Sequence, residues 1–402
     1  MPRVEAGPTP ARSSVSLIAR IVASAIAFRV VSAVFALLCN LVFPLDQPEQ
    51  FPSVFGPFRA FWDPFTRYDG GWYYQIARNG YHFVAGGPSV GVGKPGKLAY
   101  FPVYPILMRW AGRLFGTSPA DVYFGGILVS WLAFVLAMVV LFKLALLDVE
   151  DDERAERAVY LAAIFPFAFF FGVVYTEAVF LLFVLAAFYL FRTRWWILGG
   201  VFGALATATR VNGILILPAL AWIAWRRAEP NTSDRLRAGV GLALVACGIG
   251  AYSIYTYVLA GNPFEWALAI RRWGYYPGGM PWMGLVRLVR ELATHPLAFL
   301  TSQHNAPYDA LNGLTGLLFV AAIPLVWWRL GAAYGLYMLA NLWLPLSSGQ
   351  YEGMGRYCAV LFPFFILVSG IKWRGGYVAI IAVSALLYTL CLALFTTIHP
   401  IF

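Results

Sequence analysis

Runs of about twenty or more predominantly apolar residues recur along this chain, and no other feature constrains its fold as strongly. Ser16 to Phe43, Asp121 to Leu147 and Ala238 to Leu259 are each long enough to cross the hydrocarbon core of a bilayer as a helix. Composition agrees, with 60% of residues hydrophobic and 12% charged, where a soluble domain has roughly 45–50% and about 25%. Backbone polar groups in lipid must be satisfied internally, so the expectation is an all-α polytopic membrane protein. Span-length bookkeeping gives about eleven transmembrane helices. Residues 1–14 read as a disordered tail and 15–402 as a single transmembrane domain.

Charge placement gives the expected sidedness. Arg3, Arg12 and Arg20 put the N-terminus in the cytoplasm by the positive-inside rule. Two apolar blocks are too long for one span and carry a charge at mid-length: Glu177 in Ala158–Leu190, and Arg210 in Trp195–Trp225. Breaking each block near its charge takes that group out of the bilayer centre, where it would cost a few kcal/mol or more. It also keeps Arg192, Arg194, Arg226 and Arg227 on the inner side. Two long outer loops follow, 44–118 and 261–307. In the second, Trp282, Leu285, Val286, Val289 and Leu292 recur at helical spacing with Arg287, Arg290 and Glu291 opposite, the pattern of a helix lying in the interface.

Some function classes drop out here. The net charge of +10 comes from Lys and Arg scattered at segment ends, which suits anionic lipid and not nucleic acid. Cys39, Cys247, Cys358 and Cys391 lie inside apolar runs with no CxxC and no nearby His, and read as core residues. A transporter or lipid flippase is the alternative class, but it places ionisable groups near the midplane, often in two related halves. Here the halves are unrelated, and Asp63, Asp69, Glu177, Arg210, Asn212, Gln350, Glu352 and Arg356 all converge on the outer face.

The segment Phe61–Phe83, FWDPFTRYDGGWYYQIARNGYHF, holds nine aromatic residues and two carboxylates, as befits a loop at headgroup level. Asp63 precedes Pro64 and could simply start a turn. Asp69 is the candidate general base, drawing a proton from an acceptor hydroxyl. A phosphate leaving group departs without a general acid, so one base and one or two cations suffice. Arg356 and Arg210 are the candidate phosphate-binding cations. A glycosidase would require two paired carboxylates. The outer loops hold no DxD pair or His cluster, so no metal or other cofactor is called for.

The chain resembles the PIG-V family, GPI mannosyltransferase II and its bacterial relatives, within the GT-C class of glycosyltransferases. The resemblance rests on YDGGWYYQIARNGY (68–81), YFPVYP (100–105), FFFGVVYTEAVF (169–180), ATRVNGI (208–214) and GRYCAVLFP (355–363), in the family's order. It implies a GT-C fold and a polyprenyl-phosphate-linked mannose donor, dolichyl in eukaryotes. It further implies inverting transfer to a lipid or glycan acceptor on the outer or luminal side. The family's first-loop aspartate falls on Asp69. Glu177 falls in its YSES-like turn, here with Thr176, and Arg210 and Asn212 in its ARSNG-like turn, here with Val211. Tyr68, Trp72, Tyr100, Tyr175 and Tyr357 from these motifs, with Glu177, Asn212 and Gln350, are expected to hold the sugar or the acceptor. The expected setting is a bacterial-type plasma membrane, or the endoplasmic reticulum in a eukaryote.

Overall fold

The computed structural model describes residues 14–83, 96–149, 151–273, 280–301, 308–348, 351 and 353–401. Every regular element among them is helical. The chain opens with α1 (Ser14–Val42) and enters a first long loop carrying α2 (Arg59–Trp62), α3 (Gly70–Asn79) and α4 (Val103–Gly112). Pro102 caps α4 and Pro105 sits in its first turn, where a missing N–H costs nothing, so the helix begins earlier than two prolines suggest. Next come α5 (Pro119–Val149), α6 (Asp152–Ile164), α7 (Glu177–Arg192), α8 (Trp196–Thr207), α9 (Leu217–Arg227) and α10 (Thr232–Ala260). The second loop carries α11 (Glu265–Arg272), α12 (Pro281–Thr294) and α13 (Pro296–Leu300). The chain closes with α14 (Asp309–Leu330), α15 (Ala332–Leu346), α16 (Met354–Ala359), α17 (Pro363–Val368) and α18 (Arg374–Thr396).

Five of these helices, α1, α5, α10, α14 and α18, are long and apolar enough to cross a membrane, or six spans if α6 and the 3-10 run after it count as one. About eleven were expected. The difference has a physical cause: the remaining apolar stretches are divided into short helices, α7, α8, α9, α15 and α17, none of which reaches span length alone. Both expected breaks are present. The first comes earlier than the charge alone suggests, since α6 ends at Ile164 and the 3-10 run Pro166–Gly172 departs from it at 81°. The second falls at Arg210, where the 3-10 turn Val211–Ile216 joins α8 to α9.

Irregular backbone at membrane depth is tolerated only inside protein, and every residue from Phe165 to Phe180 is buried. Phe167, Phe169, Phe170 and Phe171 pack this run into the core together with Phe134 and Phe188. Arg29, buried in α1, lies over the Phe134 ring at 4.1 Å. A Cβ on Gly172 would meet Arg29 Nη1 at 2.6 Å, so the glycine leaves room for the buried guanidinium. Small residues serve the same end where α8 crosses α10: a Cβ on Gly200 would stand 2.8 Å from Gly241 Cα, and the two backbones touch. Helix α12 spans the expected interfacial segment, with Leu288 buried and Trp282, Val286 and Val289 exposed on the apolar face. Trp195, Trp225, Trp328 and Trp373 are exposed beside Arg194, Arg226, Arg329 and Arg374, as an interfacial aromatic belt would be.

Candidate functional site

Asp69 stands at the N-cap of α3, after Tyr68 at φ 52°, in the left-handed region that a bulky residue occupies at a cost of about 1–3 kcal/mol. An aspartate at this position ordinarily accepts from the backbone of the following turn. Here the carboxylate makes no such bond. Its Oδ1 accepts from the Tyr100 hydroxyl at 3.1 Å, and its Oδ2 from Arg356 Nη1 at 3.1 Å. Its own backbone N–H donates to Tyr175 Oη at 3.2 Å, fixing the start of α3 against the buried run before α7. The Asp69 side chain remains 27% exposed, so the carboxylate is held firmly yet can be reached.

Behind Asp69 lies a chain of buried charge. Glu177, fully buried at the first turn of α7, receives Arg356 Nε on Oε1 at 2.9 Å and Arg210 Nη1 on the same oxygen. Arg210 also donates to Thr176 Oγ1 at 3.1 Å and to Asn212 Oδ1 at 3.3 Å. Asn212 in turn donates to Asn341 Oδ1 at 3.1 Å. The Arg356 guanidinium lies 4.7 Å from the Tyr175 ring centroid and 5.0 Å from that of Phe170, and Arg210 lies 5.4 Å from that of Tyr357. Two carboxylates thus balance two guanidiniums. Glu177 Oε1 sets the orientation of both cations, which the three facing rings also support.

On the Oδ1 side of Asp69 the surroundings are aromatic. Trp72 and Tyr100 are stacked within 18°, centroids 6.1 Å apart. Trp273, from the end of α11, meets both nearly at right angles, at 5.4 and 6.0 Å. Burial, reinforced by the adjacent Asp69 charge, raises the Tyr100 hydroxyl far above its ordinary value, so it stays protonated and donates.

Of the residues expected from sequence, Asp69, Arg356, Glu177, Arg210, Asn212, Tyr100, Trp72, Tyr175 and Tyr357 come together here. Asp63 does not. It is buried, and its Oδ1 accepts from the backbone N–H of Val54 and Phe55 at 3.1 and 3.3 Å, the turn-forming role that its position before proline allows. The Tyr68 ring packs against Phe51 and Phe395. Gln350 and Glu352 lie outside the described residues. Sequence reasoning missed Asn341 and Trp273. Asn341 left a usable signal, a lone amide within the apolar run of α15. Trp273 left none, being one aromatic among many. Among the described residues, no three or more His, Cys, Asp and Glu side chains are grouped to hold a metal ion.

The fold and this site define a polytopic membrane protein of GT-C-like architecture. ArnT from Cupriavidus metallidurans, solved with bound undecaprenyl phosphate, aligns over 96% of this chain and 77% of its own with a TM-score of 0.53 and 12% identity, a likeness of fold alone. The Archaeoglobus fulgidus oligosaccharyltransferase aligns at a TM-score of 0.45 and 15% identity, over 94% of this chain and 55% of its own, so this chain spans about half the length of that enzyme. A search of curated proteins returns no match. Residues 21–228, just over half of the chain, match the family described as Mannosyltransferase (PIG-V), and the chain belongs to that family.

Proposed function

We propose that this chain is a membrane mannosyltransferase that moves mannose, with inversion, from a polyprenyl-phosphate donor to a lipid-linked or glycan acceptor. The observation that carries the reading is the reachable Asp69 carboxylate beside Arg356, with Glu177 linking that arginine to Arg210. Family membership supports it independently. The carrier phosphate found in the Cupriavidus ArnT structure is of the class that two such arginines suit.

In the reaction, the donor phosphate takes up charge-assisted bonds from Arg356 and Arg210. Asp69 accepts the proton of an acceptor hydroxyl. That oxygen forms a bond to mannose C1 on the face opposite the phosphate as the C1–O bond to the phosphate breaks, and the released electron pair stays on the phosphate. The arginines neutralise that charge in a site of low dielectric, where such stabilisation is worth most. Glu177 is a positioning residue for both cations. The short apolar helices complete about eleven crossings in this reading, with the N-terminus in the cytoplasm. The site then faces outward from a plasma membrane, or the lumen of the endoplasmic reticulum. Orientation would be read by labelling single cysteines placed in the loop before α4.

The test is transfer from polyprenyl-phosphate-mannose by the purified protein in lipid, against a panel of lipid and glycan acceptors. Mannosylated acceptor, or slow release of mannose to water, is the expected result. A protein that moves the intact donor across a vesicle membrane without cleaving it would instead be a transporter.

A further inference from the structure

Trp131, Trp196 and Trp266 all donate their indole N–H, to Gly172 O, Asp234 Oδ1 and Ser253 Oγ respectively. Trp273 differs. Its Nε1 is shielded from solvent, and among the described residues it is the shielded indole nitrogen left without a hydrogen-bond partner. A donor withdrawn from water without a partner costs stability, and beside a reachable carboxylate it is available to a bound hydroxyl.

Its position says which group. Helix α11 is docked by Trp266, bonded to Ser253 Oγ at 3.0 Å, and by Ala269, which is fully buried. The end of that helix places Trp273 across the edges of Trp72 and Tyr100, so that three ring planes meet in a corner. Tyr100 binds Oδ1 of Asp69, while Arg356 binds Oδ2. The carboxylate therefore separates an aromatic side from a cationic side. If the donor phosphate occupies the cationic side, the aromatic side is left for the acceptor.

We infer, resting on the proposed transferase reading, that Trp273 is a specificity-determining residue of an acceptor subsite. The acceptor presents a hexopyranose ring to the Trp72, Tyr100 and Trp273 corner, and one of its hydroxyls accepts from Trp273 Nε1–H. Aromatic planes suit the apolar C–H face of a sugar, and an indole offers a donor and no acceptor.

The experiment compares the full-length wild type with W273F in lipid nanodiscs, using polyprenyl-phosphate-mannose and octyl α-D-mannopyranoside as a saccharide acceptor. Losing one hydrogen bond while keeping an aromatic ring raises the acceptor KM about five- to tenfold. The donor KM, kcat at saturating acceptor, and donor hydrolysis by water stay unchanged. A raised donor KM overturns the inference. An unchanged acceptor KM also overturns it, and would mean the N–H rests on the face of a neighbouring ring. A second measurement needs no turnover, and so separates this inference from failure of the transferase reading. In a spectrum of 15N-labelled indoles, the Trp273 signal, identified by its loss in W273F, shifts saturably with octyl mannoside. A signal that the glycoside does not move, or that only the donor moves, overturns the inference.

Discussion

Helix α7 carries a buried ion-pair cluster at each end, and the two are built from the same residue types. At its start Glu177 joins Arg210 and Arg356 to Asp69. At its end, fifteen residues or about 22 Å away, Arg192 Nη1 meets Asp148 Oδ1 at 2.5 Å and the Tyr334 hydroxyl donates to Asp148 Oδ2 at 2.7 Å. Both place an acid near the helix N-terminus or a base near its C-terminus, as the helix dipole favours. They differ in access. Both carboxylates have both oxygens bonded, but the Asp148 side chain is 8% exposed, held by Arg192 and Tyr334 from neighbouring helices, whereas Asp69 is 27% exposed and bordered by three aromatic planes. A buried Asp–Arg pair with a tyrosine is therefore not a site in itself. Reachable space beside the carboxylate makes the difference, and the Asp148 cluster reads as a latch between α5, α7 and α15.

The comparison can be pressed with substitutions. The largest effect is expected from Glu177→Gln, which leaves Arg210 and Arg356 sharing a buried space without their common anion. Removing one partner of a buried pair costs about 3–5 kcal/mol, so thermal unfolding in lipid should shift down and transfer should be lost together. Asp148→Asn should cost about 3 kcal/mol by the same rule and leave the kcat of the folded fraction unchanged; a loss of kcat would erase the distinction between the two ends of α7. Arg356→Lys keeps the charge but not a planar fork able to hold Glu177 and Asp69 at once. Donor KM should rise about tenfold, read by titrating polyprenyl-phosphate-mannose. The smallest effect is expected from Tyr100→Phe, which removes one hydrogen bond to the Asp69 carboxylate, worth about 1.5 kcal/mol at the low end for a charged acceptor. It should lower kcat/KM by roughly tenfold, with unfolding unmoved.

Much of this was legible in the sequence, for reasons that can be named. The long helices α1, α5, α10, α14 and α18 follow from run length, since lipid imposes a minimum span. The breaks beside Glu177 and Arg210 follow from the cost of a charge at mid-bilayer. The same reasoning drew Asp69, Glu177, Arg210 and Arg356 to one face, where they now stand within hydrogen-bond reach of one another. Other features escaped because they depend on packing. The 81° departure after Ile164 is set by what the phenylalanines of Pro166–Gly172 pack against, which no local pattern announces. Asp63 and Asp69 lie six residues apart in one aromatic loop, and only the structure shows that the first ties down the backbone of Val54 and Phe55. Arg29 read as part of an apolar run, yet its guanidinium is held over Phe134 and reaches into the space left by Gly172.

The most direct test of Asp69 as the base is transfer from polyprenyl-phosphate-mannose by Asp69→Asn, with donor affinity measured on the same lipid-embedded protein. The amide keeps the shape and can still accept from Tyr100, but it cannot take up a proton. Turnover should fall by about 10²–10⁴-fold, the usual contribution of a positioned base, while donor affinity and thermal unfolding stay close to wild type. Turnover within a few-fold of wild type would contradict the account and remove Asp69 from the base role.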